Sequence, residues 1–372
     1  MRKVMIVLMI MCTILFSGCR FLEPESKEVF KETTGEEVQS DELGESMTGK
    51  QEDDKNTGKE SDRNDDPERN PNTYIDDIDE QQERYTTCYY QDSDGLLIPI
   101  TRKTARIEGI AKAAVSALVD MPVIREDIIK AGLFPVLPKG TRVLGMTIRD
   151  GAAIVDFNEA ILNYDNKQDE KNLLTSLVYT LTEFDTIESV EIMKTGEKLT
   201  SLKYGSNLSS PLVRGGINQP TIYEEKPEKD REWVEVYFAK MVYNKYTYYV
   251  PVGRMINTPS SDIDRYMKML NELLKGVEEG KGLKSFIPEK TTIRGIRIDG
   301  QTVILDFDDE LLNAAHSNDD FSKMLKQITL CFKQFGKIKS VEMNVNGKPL
   351  EYMGEYKGKT ALEVPLYANQ YD

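Results

Sequence analysis

AIVDFNEAILN (Ala153–Asn163) and VILDFDDELLN (Val303–Asn313) are two versions of one pattern. An apolar run ends in an Asp-Phe pair, followed by a polar turn and a pair of apolar residues. Side chains alternate across a strand, so Phe157 shares a face with Ala153 and Val155, while Asp156 and Ile154 point the other way; Phe307 and Asp306 repeat this. The phenylalanine is expected to face helices, and the aspartate to point away or cap the turn that follows. Two carboxylates doing acid-base work must converge on one cleft with separated pKa values. Neighbours on a strand diverge, so Asp156, Phe157, Asp306 and Phe307 read as structural markers of a module rather than catalytic groups.

The two copies serve as a ruler. From Pro138–Asn163 to Pro288–Asn313 the match runs without gaps at a spacing of 150 positions, with Pro138, Thr141, Gly145, Ile148, Ile154, Asp156, Phe157, Leu162 and Asn163 identical to their counterparts. Further on the spacing becomes 151, where Ser189-Val190-Glu191 matches Ser340-Val341-Glu342 and Gly196 matches Gly347. A fixed long spacing marks duplication.

The elements around the ruler repeat too. Tyr85–Tyr90 and Leu96–Thr101 have the composition of a hairpin with Asp94-Gly95 in its turn. Ile107, Ile110, Ala111, Ala114 and Leu118 fall on one helical face, bounded by Pro122, with a short helical turn at Glu126–Ala131. Strands Val143–Ile148 and Ala152–Phe157 meet at Asp150-Gly151; a helix carrying Leu173, Leu177, Leu181 and Phe184 and a strand Ile187–Met193 close the unit. In the second copy Tyr237–Tyr243 and Tyr246–Val252 pair, Pro259–Asp262 caps a helix with Ile263, Tyr266 and Leu270 inward, and Ile293–Ile298 turns at Asp299-Gly300 into Thr302–Phe307. Helix Phe321–Phe335 and strand Ile338–Val345 complete it. Each module therefore reads ββαββαβ, an α+β unit of about 120 residues whose two helices pack on one small sheet. The expected boundaries are 85–203 and 233–353, with a linker at 204–232 and a tail at 354–372.

The chain has 372 residues and a net charge of −15. Arg2 and Lys3, the apolar run Val4–Phe16 and Ser17-Gly18-Cys19 read as an export signal at 1–19; at about 13 residues the run is short of the roughly 20 a spanning helix needs. The ending resembles the lipobox of bacterial lipoproteins, which implies cleavage before Cys19 and acylation, of palmitate type, at its sulfur. A diacylated cysteine holds a protein on a membrane where one chain is marginal. Residues 20–84 are rich in Glu, Asp, Lys, Ser and Asn, too polar to offset chain entropy, and are expected to form a disordered acidic tether. The acidic excess argues against nucleic acid as a partner.

Chemistry-bearing motifs are sparse. His316, the one histidine, sits in a polar loop and leaves no two-histidine zinc motif and no base for a nucleophile, so neither a metal nor a cofactor nor an enzymatic activity is expected. Asp92-Ser93-Asp94-Gly95 opens like a calcium loop but lacks its closing glutamate, and reads as a hairpin turn. Lys194-Thr195-Gly196 matches one box of penicillin-recognising enzymes without the Ser-x-x-Lys partner. With Cys12 in the signal and Cys19 acylated, Cys88 and Cys331 remain; one disulfide is open to an exported chain, but Cys331 lies in the apolar series Phe321, Leu325, Ile328, Phe332, which favours a core thiol. Tyr243, Tyr246, Tyr248 and Tyr249 could present a glycan or peptide surface, though such tyrosines on a hairpin more often face a sheet's packing.

The runs LLIPITRKTARIEGIAKAAVSALVDM, GLFPVLPKGTRVLGMTIRDGAAIVDF and LVYTLTEFDTIESVEIMKTGEKL, in that order and spacing, resemble the GerM domain family of endospore-forming bacteria. YYVPVGRMI, GLKSFIPEKTTIRGIRIDGQTVILDF and IKSVEMNVNGKPL resemble a second copy. The resemblance implies ring-building-motif-like modules and a part in sporulation and spore germination. It further implies a lipid-anchored envelope protein on the extracytoplasmic face of the mother-cell membrane, assembling with itself or with envelope partners in a ring-type complex towards the forespore. The rival expectation is a lipoprotein whose inter-module cleft binds peptidoglycan or a peptide.

Overall fold

The computed structural model describes residues 84–104, 109–219, 230–277, 280–314 and 317–371. The export signal, Cys19, the tether before position 84, Ile107 and His316 lie outside the described residues. Among the described residues no helix is long and apolar enough to cross a membrane.

The first module opens with the hairpin β1 (Arg84–Asp92) and β2 (Leu97–Thr104). Helix α1 (Ile110–Ala117) follows and ends before Pro122, as expected; Pro122 also opens a further helix, occupying the first turn of α2 (Pro122–Ile128), where its missing N–H would have no partner anyway. A short β3 (Leu133–Phe134) precedes β4 (Val143–Arg149) and β5 (Ala152–Phe157); α3 (Lys167–Leu181), β6 (Ser189–Lys194) and β7 (Glu197–Lys198) complete the unit. The second module repeats the order with β8 (Arg231–Val242), β9 (Tyr246–Asn257), α4 (Asp262–Leu274), β10 (Leu283–Lys284), β11 (Ile293–Asp299), β12 (Thr302–Phe307), α5 (Asn318–Leu330), β13 (Ser340–Val345), β14 (Lys348–Pro349) and β15 (Leu362–Glu363). The α+β class and the tandem repeat are as the sequence indicates. Three helices begin under side-chain caps, each accepting a backbone N–H: Asn166 from Asp169, Ser261 from Asp264 and Ser317 from Asp320.

The strands of each module divide between two sheets rather than sharing one. The hairpin forms its own sheet, ordered β2-β1-β3 in the first copy and β9-β8-β10 in the second. The ruler strands form the other, β4-β5-β6-β7 and β11-β12-β13-β14, in which β5 and β6, like β12 and β13, run parallel. Helix α3 explains the split, because it packs on β1 with one side and on β6 with the other. Its apolar residues Leu173, Leu177 and Leu181 are buried, and so are the polar Ser176 and Thr180, both 0 % exposed. Those two hydroxyls meet the backbone of β1: Ser176 donates to the Tyr89 carbonyl at 2.6 Å, and Thr180 accepts from the Tyr89 N–H at 3.1 Å. A helix with apolar contacts on one flank and hydroxyls on the other can lie between two sheets, since the buried strand edge keeps its hydrogen bonds.

Phe157 and Phe307 are buried at 0 % and 1 % exposure, in positions where burial of such a side chain is worth about 2–3 kcal/mol. Asp156 and Asp306 point to the opposite face, but they cap a different turn from the one expected. Each carboxylate accepts the N–H of the glycine in the next hairpin, Gly196 at 3.1 Å and Gly347 at 2.7 Å. The turns so held, Thr195-Gly196 and Asn346-Gly347, have both residues at positive φ, the geometry of a tight two-residue hairpin. The turn directly after each Asp-Phe pair is tied instead by Asn158, which accepts from the Arg142 N–H at 2.8 Å, and by Asp308, which accepts from the Thr292 N–H at 3.1 Å. In the second copy the β11–β12 turn also sits one residue later than expected, at Gly300-Gln301, because Asp299 still pairs with Thr302.

Candidate interaction site at the module seam

The two modules meet through the free edges of their hairpins, β2 and β9, which the strand order leaves unpaired. Each edge carries a proline at its centre, Pro99 opposite Tyr89 and Pro251 opposite Tyr237. Proline offers no N–H, so the two edges cannot simply join as one sheet. Two asparagine side chains fill the gap instead. Asn218 accepts the Leu97 N–H at 2.7 Å and donates to the Leu97 carbonyl at 2.7 Å and the Pro251 carbonyl at 2.9 Å. Asn369 accepts the Tyr249 N–H at 2.7 Å and donates to the Tyr249 carbonyl at 2.9 Å and the Pro99 carbonyl at 2.8 Å. Each amide thus pairs with its own module's edge and with the proline carbonyl of the other, the reciprocity of an isologous contact.

These asparagines lie in the segments expected as linker and tail. Both segments continue their modules along the same path: Leu212 pairs with Val190 of β6, and Leu362 with Val341 of β13. Each then crosses to the other module. The Gly253 N–H of β9 donates to the Ile217 carbonyl at 2.7 Å, and the Thr101 N–H of β2 donates to the Asn369 carbonyl at 2.8 Å. The approach at Gly253 is close enough that an added Cβ would stand 2.9 Å from the Gly216 Cα. Earlier in the connection, buried Glu170 of α3 accepts the N–H groups of Tyr204 at 2.8 Å and Ser206 at 3.0 Å. Residues 204–219 and 361–371 therefore belong to the folded body. The spacing from Asn218 to Asn369 is the same 151 positions found for Ser189 and Ser340, and in each case glutamine follows. That short match, Asn-Gln in two segments without helix or strand periodicity, was the one signal available in the sequence.

Charge crosses the seam at two places. Arg214 reaches Glu183 at 2.6 Å and Glu235 at 3.6 Å, while Lys333 holds the other Glu183 oxygen at 2.9 Å. The Tyr89 hydroxyl donates to Glu183 at 2.9 Å, and the Arg214 guanidinium lies 4.7 Å above the Tyr179 ring. Burial alone would raise the Glu183 carboxyl, but Lys333 and Arg214 hold it down at about 2. It is therefore ionised throughout the physiological range and unsuited to shuttling protons near neutral pH. At the other place Lys240 of β8 pairs with Asp92 at 3.1 Å and with Asp94. The Asp92-Ser93-Asp94-Gly95 stretch is indeed a hairpin turn, in which Asp92 also accepts the N–H groups of Asp94 and Leu96 at 2.9 Å each.

The tyrosines singled out as a binding surface are mostly packing groups. Tyr248 and Tyr249 are each 5 % exposed, and the Tyr248 hydroxyl donates to the Ala131 carbonyl at 3.0 Å across the seam. Val242, Tyr248 and Val250 sit in the apolar core of the first module, with Tyr246 packed against it. Tyr243 at the hairpin tip is 64 % exposed. Cys88 and Cys331 are both free and buried, and burial pushes each thiol up to about 12. Thr195 and Gly196 of the Lys194-Thr195-Gly196 match are the hairpin turn already described. Among the described residues no group of three or more His, Cys, Asp or Glu side chains is placed to hold a metal ion.

Beside the charge cluster lies a cavity of about 390 Å³, bounded by Tyr85 and Thr87 of β1, by Phe184 after α3, by Lys333, and by Leu366 and Tyr367 of the crossing tail. It is formed by residues of both modules.

The family model "Germane: Sporulation and spore germination" matches residues 87–200 and 235–351. The chain is 31% identical over 265 residues to the spore germination protein GerM of Bacillus subtilis (strain 168), an alignment covering 70% of this chain and 71% of that protein. Its fold is similar to the solved tandem GerMN domains of the sporulation protein GerM from Bacillus subtilis, with a TM-score of 0.66 and 29% identity over 78% of this chain and 100% of that one. Two matched modules, a relative aligned over most of both chains and a shared tandem fold place the chain in the Germane family of sporulation and spore germination proteins.

Proposed function

We propose that this sporulation and germination protein is a lipid-anchored structural component of the cell envelope, held to the membrane through Cys19. In this reading it assembles with itself or with envelope partners into a ring-type complex between mother cell and forespore. The observation that carries the proposal is how the modules use their edges. An isologous contact closes on itself and cannot propagate, so the β2–β9 seam makes one rigid two-module unit rather than a chain of modules. What is left open is the far sheet of each module. There β4 is an edge strand whose Leu144 and Ile148 stay 49 % and 46 % exposed, apolar groups on an unpaired edge of the kind that proteins otherwise blunt. Lateral contact between that sheet of one copy and a different surface of the next would be heterologous, and it closes into a ring only if the rotation allows. The charges at the seam neutralise one another, which suits a scaffold better than a reaction centre.

The test places a photo-cross-linker at Leu144 or Ile148 in sporulating cells, with Cys19→Ala as the anchoring control. Adducts to a second copy or to envelope proteins, lost or relocated in the control, are expected. A chain that stays monomeric and forms no adduct from either position would overturn the assembly reading.

A further inference from the structure

The two copies close the open side of their hairpins differently. In an antiparallel pair, alternate residues turn N–H and C=O away from the neighbouring strand. On β1 these are Tyr85, Thr87 and Tyr89: the Tyr89 groups go to Thr180 and Ser176, and Thr101, opposite Thr87, turns its own groups to the crossing tail. In the second copy the residue matching Thr87 is Glu235, and its edge is sealed. The Gln334 side chain accepts the Glu235 N–H at 2.9 Å and donates to the Glu235 carbonyl at 2.7 Å. A carboxamide here plays the part of one peptide unit of an added strand. The space between that strand and its crossing segment is filled as well, by Trp233 lying against Gly215, whose added Cβ would stand 2.9 Å from the indole.

The first copy lacks both closures. The position of Gln334 is taken by Glu183, which has no N–H to give and is drawn to Lys333, Arg214 and the Tyr89 hydroxyl. The position of Trp233 is taken by Tyr85, which rests on Tyr367 with ring centroids 5.3 Å apart. The cavity of about 390 Å³ opens there, lined on one side by Tyr85, Thr86 and Thr87 of β1 and including Leu366, which is 73 % exposed. Among the described residues no hydrogen-bond partner occupies the outward N–H and C=O of Thr87, a residue only 7 % exposed. Buried backbone groups are normally paired.

We propose that this cavity is a docking groove for an extended peptide segment of a partner protein. The segment adds as a short strand to the edge at Tyr85–Thr87 and lodges one large apolar side chain among Phe184, Tyr367 and Leu366. The occupant follows from the second copy, which supplies from its own sequence the two things the first lacks: a peptide-like amide for the strand edge and an indole-sized group for the space. Main-chain pairing supplies affinity in such strand addition, and the pocket supplies specificity. The charges at the rim cancel, Glu183 and Asp185 against Lys333 and Lys339, so the groove selects by shape and backbone pairing. The proposal goes beyond assembly of the scaffold and does not depend on it.

The test uses the full chain, labelled with ¹⁵N, and the blocked peptides Ac-Ala-Trp-Ala-Ala-NH₂ and Ac-Ala-Ala-Ala-Ala-NH₂. The expected result is a saturable shift of the Thr87 amide with the tryptophan peptide, at least about fivefold weaker with the alanine peptide, as for an apolar side chain lost from a pocket. Leu366→Asp, on an exposed rim where folding is not at stake, should weaken it by a similar factor. Glu183→Gln should let the amide seal Thr87 as Gln334 seals Glu235, slowing Thr87 hydrogen exchange and abolishing the shift. The idea is overturned if the Thr87 amide of the free chain already exchanges as slowly as that of Glu235. It is overturned equally if the tryptophan peptide leaves Thr87 unmoved up to its solubility limit, or if Leu366→Asp binds it unchanged. No assembly step enters these readings, so failure here leaves the scaffold proposal as it stood.

Discussion

Asn369→Ala removes one of the two amides that bridge the β2 and β9 edges. The side chain is 6 % exposed and makes three hydrogen bonds, all to backbone groups that have turned away from their own sheets. Truncation strands one N–H and two carbonyls in a seam too tight for easy entry of water. A stranded buried group costs about 1–3 kcal/mol; with the N–H near the middle of that range and the carbonyls near the bottom, the loss comes to about 3–5 kcal/mol. For a body of this size each kcal/mol moves Tm by about 2–4 °C, so the expected fall is roughly 6–20 °C. Asn369→Asp discriminates further. Its carboxylate still accepts the Tyr249 N–H but faces two carbonyls, so the acid's folded pKa rises above its unfolded value. Any stability it retains is then present below about pH 4 and lost as pH rises through the folded pKa. The assay is thermal and urea denaturation of wild type and both variants from pH 3 to pH 8. A Tm loss under about 3 °C for Asn369→Ala, or an Asn369→Asp variant as stable at pH 7 as wild type, would refute the claim that this amide holds the modules together.

Other outcomes test neighbouring parts of the seam. Glu183 titrates at about 2 in the fold against about 4.3 in an unfolded chain, so its contribution is complete above the unfolded value and lost as pH falls towards 2. The stability of wild type relative to Glu183→Gln should therefore fall steadily between pH 5 and pH 2 in urea titrations, by on the order of 3 kcal/mol in total. Gly253→Ala sets a Cβ 2.9 Å from backbone that cannot swing aside, and should destabilise by about 1–3 kcal/mol, whereas Gly145→Ala meets nothing within 4 Å and should fall below that range by the same measurement. Cys88 and Cys331, buried with thiols pushed up to about 12, should resist a thiol reagent at pH 8 until the chain is unfolded; prompt labelling of the native chain would contradict their burial.

Much of the fold was legible because it depends on local pattern. Period-two strands ending in Asp-Phe, 3.6-period helices and glycine-bearing turns sit close to their expected places, and the gap-free spacing of 150 positions between copies exposed the duplication. The candidate site was not legible in the same way. Asn218 and Asn369 stand in segments without helix or strand periodicity, where a lone asparagine is unremarked, and Glu183 and Lys333 look like ordinary surface charges on helix ends. Even the ruler aspartate misled in part, since Asp156 caps a turn nearly forty positions on, reached only through the parallel pairing of β5 with β6.

By itself, then, the sequence determined that two homologous α+β modules would form, because side-chain periodicity and turn chemistry act over a few residues and leave their mark in composition. Only the tertiary structure decided that helices lie between two sheets, that linker and tail cross to the opposite module, and that one copy of the hairpin edge is sealed while the other stays open. Those outcomes rest on hydrogen bonds between groups far apart in the chain. Whether an amide at 334 or a carboxylate at 183 completes a strand depends on which backbone it is brought to face.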